Sequence, residues 1–232
     1  MNLKAPLFSF LLFCSLIQCT APTYRTKKIK QPSAATEQLI KTTYQEAKLT
    51  STLPFDLFRT AMIGFYNIEQ KKQSDKIAII DFSKPSTKER FYVIDLDKKK
   101  LLHSCLVAHG KNSGNKIPSD FSNTLNSKKS SLGFFLTAET YQGKHGFSLR
   151  LDGIEKGINH NARKRSIVIH GADYVSTNYI KKQGRLGRSW GCPALPLALS
   201  EEIIQSISNG TCLFIYGKNA SYFKHSNYIL PI

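Results

Sequence analysis

The chain reads IVIHGA at residues 167–172 and SWGCP at residues 189–193, and these two segments carry most of its information. The first is a β-branched run, typical of a buried strand, that ends in His170 and a glycine. The second places Cys192 between glycine and proline, which excludes a regular strand at that point. A histidine at the end of a strand and one cysteine in a small-residue loop are what a thiol nucleophile and its base require. We therefore predict a thiol active site at His170 and Cys192.

The composition allows one substantial hydrophobic core. The chain has 232 residues, 41% of them hydrophobic, which is enough for one catalytic domain with a small helical annex. Lys and Arg number 33 against 16 Asp and Glu, giving a net charge of +17, and such a surface attracts polyanions. The lysines are scattered through loops, and no nucleic-acid-binding motif with aromatic stacking positions is present. We expect a solvated basic surface near anionic envelope polymers and no nucleic-acid partner.

Residues 1–19 have the pattern of an export leader. Lys4 precedes an apolar run at residues 7–13 that is too short to span a bilayer permanently. Cys19 follows, and its position resembles the lipidation site of bacterial lipoproteins, although Gln18 stands where that signal usually has a small residue. We predict a signal or lipoprotein leader, with cleavage downstream of Cys19 as the alternative to lipidation, and then a flexible linker at residues 20–35. The protein is expected to be exported to the periplasm or cell envelope, and lipidated Cys19 would tether it to a membrane.

Helical spacing before residue 75 gives way to short β-rich runs after it. Apolar residues recur at helical spacing over residues 36–49 and 55–69, which predicts an N-terminal helical annex at residues 36–75. Between residues 76 and 218, short β-rich runs separated by turn residues predict a mainly β catalytic domain, either a β-sandwich or a partly closed barrel. The predicted strands are residues 77–82, 91–96, 101–109, 133–138, 147–151, 166–170 and 212–216.

One helix is predicted after the catalytic cysteine. Ser200 is followed by two glutamates and then by Asn209-Gly210, so Ser200 is expected to be its N-cap and the glycine its C-terminal stop. Residues 219–232 are expected to form a C-terminal tail.

The three cysteines beyond the leader are Cys105, Cys192 and Cys212. An odd number outside the cytoplasm leaves at least one of them unpaired. Cys105 and Cys212 lie in strand-like runs, where a cysteine usually acts as a small buried hydrophobe, and a disulfide between them stays open. Cys192, flanked by glycine and proline, is the cysteine expected to be reactive.

Other acyl-transfer enzymes fit the order of these residues poorly. Papain-like enzymes place the cysteine first and the histidine much later, but only His225 follows Cys192. Sortases need an arginine after the cysteine, and no arginine occurs beyond Arg188. Residues 113–116 match the Ser-x-x-Lys motif of penicillin-binding enzymes, but their glycine and the proline that follows oppose the helix which that motif needs.

The order and spacing instead resemble those of the L,D-transpeptidases, cysteine enzymes that cross-link bacterial peptidoglycan. In that family a loop separates a histidine motif from a Ser/Thr-His-Gly-Cys segment. Residues 173–188, between the His170 motif and Ser189, form a loop of matching length. Trp190 replaces the second histidine and Ala194 a terminal Asn or Arg, which resembles the divergent murein L,D-transpeptidase catalytic-domain branch with Gly-Arg-Ser-Trp-Gly-Cys-Pro. The similarity covers residues 77–217 and includes VAHG (107–110), FSN (121–123), SSLG (130–133), SLRLDG (148–153) and HGADY (170–174).

The resemblance implies a role for each matched residue. Cys192 would attack the carbonyl of a diaminopimelate-type residue in a donor stem tetrapeptide, releasing D-alanine and forming a thioester that an acceptor amine resolves. His170 would accept the thiol proton, with its ring held by a backbone carbonyl around Gly171. Amides near Gly191 and Cys192 would stabilise the oxyanion.

Five further residues are candidates for contacts at the site. Arg188 and Ser189 would support the nucleophile or bind a substrate carboxylate. Trp190 cannot replace an imidazole as a base, so it either walls the acyl pocket or packs against the fold. His109 and Arg150 are candidates for substrate binding, against polar packing at a sheet edge for His109 and a structural salt bridge for Arg150.

We expect no metal and no other cofactor. His103, Cys105 and His109 alternate onto one strand face, as metal ligands would, but no further Cys/His cluster has zinc spacing, and cysteine acyl transfer needs no metal. Two other functions stay open at this point. One is an L,D-carboxypeptidase, in which the same thiol delivers the acyl group to water, and the other is a non-catalytic wall-binding lipoprotein.

Overall fold

Two helices precede the sheet in a computed structural model that describes Met1 and residues 29–70 and 74–230. Helix α1 (Ala34–Glu46) begins after Ser33, whose hydroxyl accepts a hydrogen bond from the Thr36 amide at 3.2 Å. A 3₁₀ turn (Leu49–Ser51) leads to helix α2 (Phe55–Asn67). Both helices lie where the apolar spacing predicted them.

The predicted lipidation site, Cys19, and the rest of residues 2–28 lie outside the described residues. Among the helices that are described, none is both long enough and apolar enough to cross a membrane.

Eight strands form one sheet in the order β3-β2-β1-β8-β4-β5-β6-β7. The pairs β1–β8 and β6–β7 are parallel, and the other neighbours are antiparallel. The strands are β1 (Lys76–Asp81), β2 (Phe91–Asp95), β3 (Lys100–Cys105), β4 (Gly133–Gly143), β5 (Gly146–Gly153), β6 (Val168–Ala172), β7 (Ala194–Pro196) and β8 (Cys212–Tyr216).

The two edges of this sheet approach each other beyond β3. Ala108 forms an antiparallel bridge with Ala194 of β7, and Gly110 forms a parallel bridge with Ser189. Their backbones are joined by hydrogen bonds, including one of 2.8 Å from the Ala108 amide to the Ala194 carbonyl. The sheet is therefore a nearly closed barrel, and the predicted mainly β class with a partly closed barrel is confirmed. The closing residues come from the segment that carries Cys192.

The N-terminal helices share one hydrophobic core with the barrel. Buried residues of α1 and α2 belong to the same cluster as those of β1, β2 and β8. Phe134 stacks on Phe214 with ring centroids 4.4 Å apart. Gly64 of α2 lies against the Phe134 ring so closely that a Cβ there would be 1.9 Å from a ring carbon. Any side chain at Gly64 would push α2 off the sheet.

Three more helices follow β6: α3 (Thr177–Gln183), α4 (Leu197–Ile207) and α5 (Ala220–His225). Helix α4 is the one predicted after Cys192, but the prediction that Ser200 caps it is wrong. The helix begins at Leu197, and the Ser200 hydroxyl donates to the Leu197 carbonyl at 3.0 Å inside the first turn. The helix start could not be recognised in the sequence, because its first turn contains the apolar residues Leu197 and Leu199 and has no capping side chain before it.

Residues 219–230, predicted as a tail, pack onto the barrel through α5. The fully buried carboxylate of Glu155 accepts hydrogen bonds from the Phe134 amide at 2.7 Å, the Tyr222 hydroxyl at 3.1 Å and the Ser226 hydroxyl. Burial raises the pKa of Glu155, while these donors oppose that rise. Tyr228 is buried nearby, so this end of the chain is part of the core.

No disulfide joins the cysteines in the described part of the chain, so Cys105 and Cys212 are not linked to each other. Both are buried, as expected for core residues, and burial raises the pKa of Cys105 to about 12.

Candidate active site

The candidate base lies on the face of β6 that points away from the core, and the candidate nucleophile lies in the segment just before the neighbouring strand β7. Strand β6 pairs with β5 so that Ile169 opposes Leu149 and His170 opposes Ser148. Ile169 and Leu149 are core residues, and because side chains alternate along a strand, His170 points to the opposite face. On its other side His170 pairs with Ala194, two residues after Cys192.

His170 is held in one orientation and is nearly inaccessible, with 3% of its surface exposed. Its Nδ1 lies 2.9 Å from the Gly171 carbonyl oxygen. A carbonyl only accepts, so Nδ1 carries the proton and Nε2 keeps a free lone pair. This is the contact that the family resemblance implied. The ring is therefore set up to accept a proton at Nε2.

Gly171 also lets α4 approach β6 closely. A Cβ at this position would lie 2.4 Å from the Ser200 hydroxyl and 2.9 Å from a methyl group of Leu197. Its lack of a side chain therefore fixes the distance between helix and strand, and with it the position of the carbonyl that holds His170.

A tight turn at residues 189–192 presents the thiol. The Ser189 hydroxyl donates to the Cys192 carbonyl at 2.6 Å and accepts from the Gly191 amide at 3.0 Å. Gly191 has φ +123°, and a Cβ there would lie 2.7 Å from the Lys129 carbonyl oxygen, so only glycine fits. Ser189 is thus a residue that shapes the turn. The Gly191 amide, predicted to face an oxyanion, has Ser189 as its partner in this structure.

The thiol of Cys192 is half-buried and donates to the Ser166 carbonyl at 3.6 Å, rather than to the His170 imidazole. Burial raises the pKa of Cys192, while a hydrogen bond from the Val168 backbone and the positive charges of Arg165 and Lys144 oppose that rise. At rest the group is therefore a neutral thiol in a positively charged surrounding.

Arg165 is a cation near the thiol that sequence reasoning missed. Its guanidinium donates to the carbonyls of Ser122 and Lys129, each at 2.6 Å, and to the Ser127 hydroxyl at 3.1 Å. It therefore ties the loop at residues 122–129 to the start of β6. Its sequence neighbours are also basic, and nothing in that run distinguishes it from a surface arginine.

The β4–β5 turn covers His170. His145, in this turn, stacks on His170 with ring centroids 4.6 Å apart and an angle of 23° between the planes. Burial lowers the pKa of His170, its bond to Gly171 opposes this, and the charges of His145 and Lys144 lower it further. His170 is thus neutral, as a base must be. His145 was also missed, because only the register of the hairpin brings it over β6.

Trp190 does not pack against the fold, since 67% of its surface is exposed. The ammonium of Lys128 lies 4.6 Å from the centre of its ring and that of Lys144 lies 5.9 Å away. Both distances are within the range of cation–π attraction. Trp190 is therefore an exposed aromatic side chain, and one lysine from each of two loops lies beside its ring.

Arg188 and Arg150, two of the other candidate residues, form contacts away from the base and the nucleophile. Arg188 donates to the carbonyls of Gly114 at 2.9 Å and Lys111 at 3.2 Å, which fastens the nucleophile turn to the neighbouring loop. Arg150 forms a salt bridge with Glu139 at 3.1 Å, the structural alternative considered from the sequence. Neither contact involves His170 or Cys192.

His109 is fully buried and lies 2.9 Å from a guanidinium nitrogen of buried Arg90. Burial first, and then the charge of Arg90, lowers the pKa of His109 to about 3. A group with these contacts supports the barrel seam and cannot reach a substrate. Within residues 29–70 and 74–230, no three His, Cys, Asp or Glu side chains lie together as metal ligands.

Comparison with known proteins identifies the family. A family model described as the L,D-transpeptidase catalytic domain matches residues 49–216. A search of curated proteins found no match. Among solved structures, the L,D-transpeptidase from Mycobacterium smegmatis is 13% identical with a TM-score of 0.39, and the alignment covers 62% of this chain and 59% of that one.

Two further solved structures have similar sequence identities and TM-scores. L,D-transpeptidase 3 from Mycobacterium tuberculosis is 9% identical with a TM-score of 0.40, covering 62% of this chain and 61% of that one. The L,D-transpeptidase from Xylanimonas cellulosilytica is 15% identical with a TM-score of 0.36, covering 85% of this chain and 99% of that one. The chain spans about three fifths of the first of these structures (59%). On the strength of the family model, which matches most of its length, the chain belongs to the L,D-transpeptidase catalytic domain family.

Proposed function

We propose that this protein is a cysteine-dependent acyltransferase that cross-links peptidoglycan stem peptides. The observation that carries the proposal is the orientation of His170. Its Nδ1 proton is held by the Gly171 carbonyl, which leaves Nε2 as an acceptor on the strand face next to the Cys192 turn. An imidazole of fixed tautomer beside a half-buried thiol supports nucleophilic catalysis. Peptidoglycan lies outside the cytoplasm, so the proposal agrees with the leader predicted at residues 1–19.

Catalysis begins when the thiol leaves the Ser166 carbonyl and turns to His170. Catalytic hydrogen bonds are often longer or differently directed before substrate binds, and rotation about the Cα–Cβ bond of Cys192 moves the sulfur. Nε2 of His170 takes the thiol proton, and Arg165 and Lys144 stabilise the resulting thiolate. The thiol thus stays protonated until a donor peptide occupies the site.

In the first half-reaction the thiolate attacks the carbonyl of the third residue of a tetrapeptide stem. A carbon–sulfur bond forms and the bond to the terminal D-alanine breaks. The proton on His170 passes to the leaving nitrogen, so D-alanine departs as a neutral amine and a thioester remains on Cys192.

In the second half-reaction an amine of another stem attacks the thioester. His170 takes the proton of the incoming amine and returns it to the sulfur as the carbon–sulfur bond breaks. The products are a cross-linked peptide and a restored thiol. Water in place of the amine gives hydrolysis by the same steps, which is the carboxypeptidase alternative.

The test incubates the full chain with disaccharide-tetrapeptides of diaminopimelate peptidoglycan and analyses the products by mass spectrometry. We expect D-alanine and cross-linked dimers from the wild type, and neither from Cys192→Ala. Cys105→Ala is the matched control: this cysteine is buried and its pKa is raised to about 12, so activity should be kept.

Dimers formed by a folded Cys192→Ala protein would overturn the mechanism. Free tripeptide without dimers would assign hydrolysis in place of transfer. A second incubation uses a carbapenem, a β-lactam that resembles the donor in acylating the thiol of this family. No product from the wild type, together with no carbapenem adduct on Cys192, would assign the non-catalytic wall-binding alternative.

A further inference from the structure

The lysines beside Trp190 have no acidic partner in the described part of the chain. Lys128 and Lys144 form no salt bridge with any described carboxylate. Their ammonium groups instead face an aromatic ring that is largely exposed. The two ammonium groups beside one uncharged ring repel each other, and this repulsion is relieved when an anion binds between them.

The other charges around the site are already engaged. Lys129 pairs with Asp120, and Arg165 donates to carbonyls and hydroxyls of the neighbouring loop. Glu139 is held by Arg150 and Arg163. Lys128 and Lys144 are therefore cations beside the site whose ammonium groups have neither a carboxylate nor another hydrogen-bond acceptor among the described residues, so they can turn to a ligand.

The geometry of the leaving group indicates which anion they bind, and this step rests on the proposed function. The leaving nitrogen must come within about 3 Å of Nε2 of His170 to receive its proton. The carboxylate carbon of a terminal residue is only about 2.5 Å from that nitrogen, two bonds away. His145, stacked 4.6 Å from the His170 ring, shows that the β4–β5 turn reaches this position, and Lys144 is the preceding residue of the turn.

We propose that Lys144 and Lys128, arranged around Trp190, bind the C-terminal carboxylate of the donor peptide. Contact with the Trp190 ring restricts the two ammonium groups beforehand, which lessens the freedom they lose on binding. The pair then selects a peptide that ends immediately after the scissile bond, because an internal residue has no carboxylate at that position. Lys144 and Lys128 are thus specificity-determining residues.

The test measures binding by calorimetry in the full chain carrying Cys192→Ala, which prevents turnover. The probe is the tetrapeptide L-Ala-γ-D-Glu-diaminopimelate-D-Ala, compared with the same peptide bearing a C-terminal carboxamide. Adding Lys144→Met or Lys128→Met should weaken binding of the free acid about fivefold, the range of one partly exposed charge pair. Binding of the carboxamide should not change. Lys181→Met in α3, an equal change of net charge, is the matched control.

A third peptide amidated at the D-glutamate carboxylate distinguishes the sources of negative charge. If Lys144→Met and Lys128→Met weaken the free acid and the carboxamide equally, or neither of them, the proposal is wrong. It is also wrong if the effect disappears only with the glutamate-amidated peptide, since the lysines then bind a different carboxylate. Turnover by the wild type is scored separately, so a selective binding effect without turnover would reject the proposed function and keep the carboxylate site.

Discussion

At the scale of single residues, the site depends on keeping His170 neutral. The sequence predicts His170 and Cys192 because both stand at interruptions of regular structure. It could not predict His145 or Arg165, because neither lies in a motif and each approaches the site only through the tertiary fold. Trp190 does lie in the motif, but the sequence left open whether it packs, because its exposure follows from the direction of a turn fixed by Ser189 and Gly191.

Removal of His145 should shift the pH dependence of catalysis. Burial under the hairpin and the charge of His145 lower the pKa of His170, and both are reduced in His145→Ala. The pKa of His170 should then rise towards its ordinary value near 6.5, so the acidic limb of kcat/KM moves to higher pH. NMR titration of His170 provides a direct readout. His225→Ala, which removes an exposed histidine on α5, should leave the limb in place. A limb that moves to lower pH would contradict this reasoning.

At the scale of elements, the sequence predicts β-strands and helices where apolar periodicity is long. It misses β7, a three-residue strand, because so short a segment has no period. Ser200 was misassigned as a cap because the first helical turn contains apolar residues and begins after a proline, which carries no capping side chain. Short elements of this kind are fixed by their neighbours, and in this protein they are the elements that position the thiol.

Gly191→Ala should disrupt the nucleophile turn. The substitution meets both a positive φ of +123° and the Lys129 carbonyl at 2.7 Å, so the free energy of unfolding should fall by about 3 kcal/mol or more. Gly184→Ala is the matched control, since its φ is +68° but a Cβ there meets nothing within 4 Å. It should lower the unfolding free energy by about 1 kcal/mol, as expected for a left-handed alanine. Urea denaturation measures both, and equal losses would show that the Lys129 contact is unimportant.

At the scale of the whole molecule, the barrel, the N-terminal helices and the C-terminal segment form one core. The sequence predicts an annex, a domain and a tail because composition changes at their boundaries. Composition does not reveal that Tyr222 and Tyr228 belong to the core, or that Glu155 accepts hydrogen bonds from Tyr222 of α5 and from Ser226. These contacts join residues about seventy positions apart (67 for Tyr222, 71 for Ser226).

Weakening the Glu155 network should destabilise the entire fold. Tyr222→Phe and Ser226→Ala each remove one donor from a buried carboxylate while keeping the volume nearly unchanged. Each should lower the free energy of unfolding by about 1 to 3 kcal/mol at pH 7, the usual loss when a buried charged acceptor loses a partner. Tyr66→Phe, at an exposed site, should have no measurable effect. A variant as stable as the wild type in urea would show that the hydrogen bond removed from Glu155 does not stabilise the fold.

The closure of the barrel has a consequence for the timing of activity. The bridges that bring the two sheet edges together use Ser189 and Ala194, the residues on either side of the nucleophile. A chain whose edges have not yet met therefore carries an ordinary cysteine, without the tight turn and without the nearby base. Under the proposed function, thiol reactivity therefore depends on closure of the barrel, and a molecule whose sheet edges are still apart is inactive.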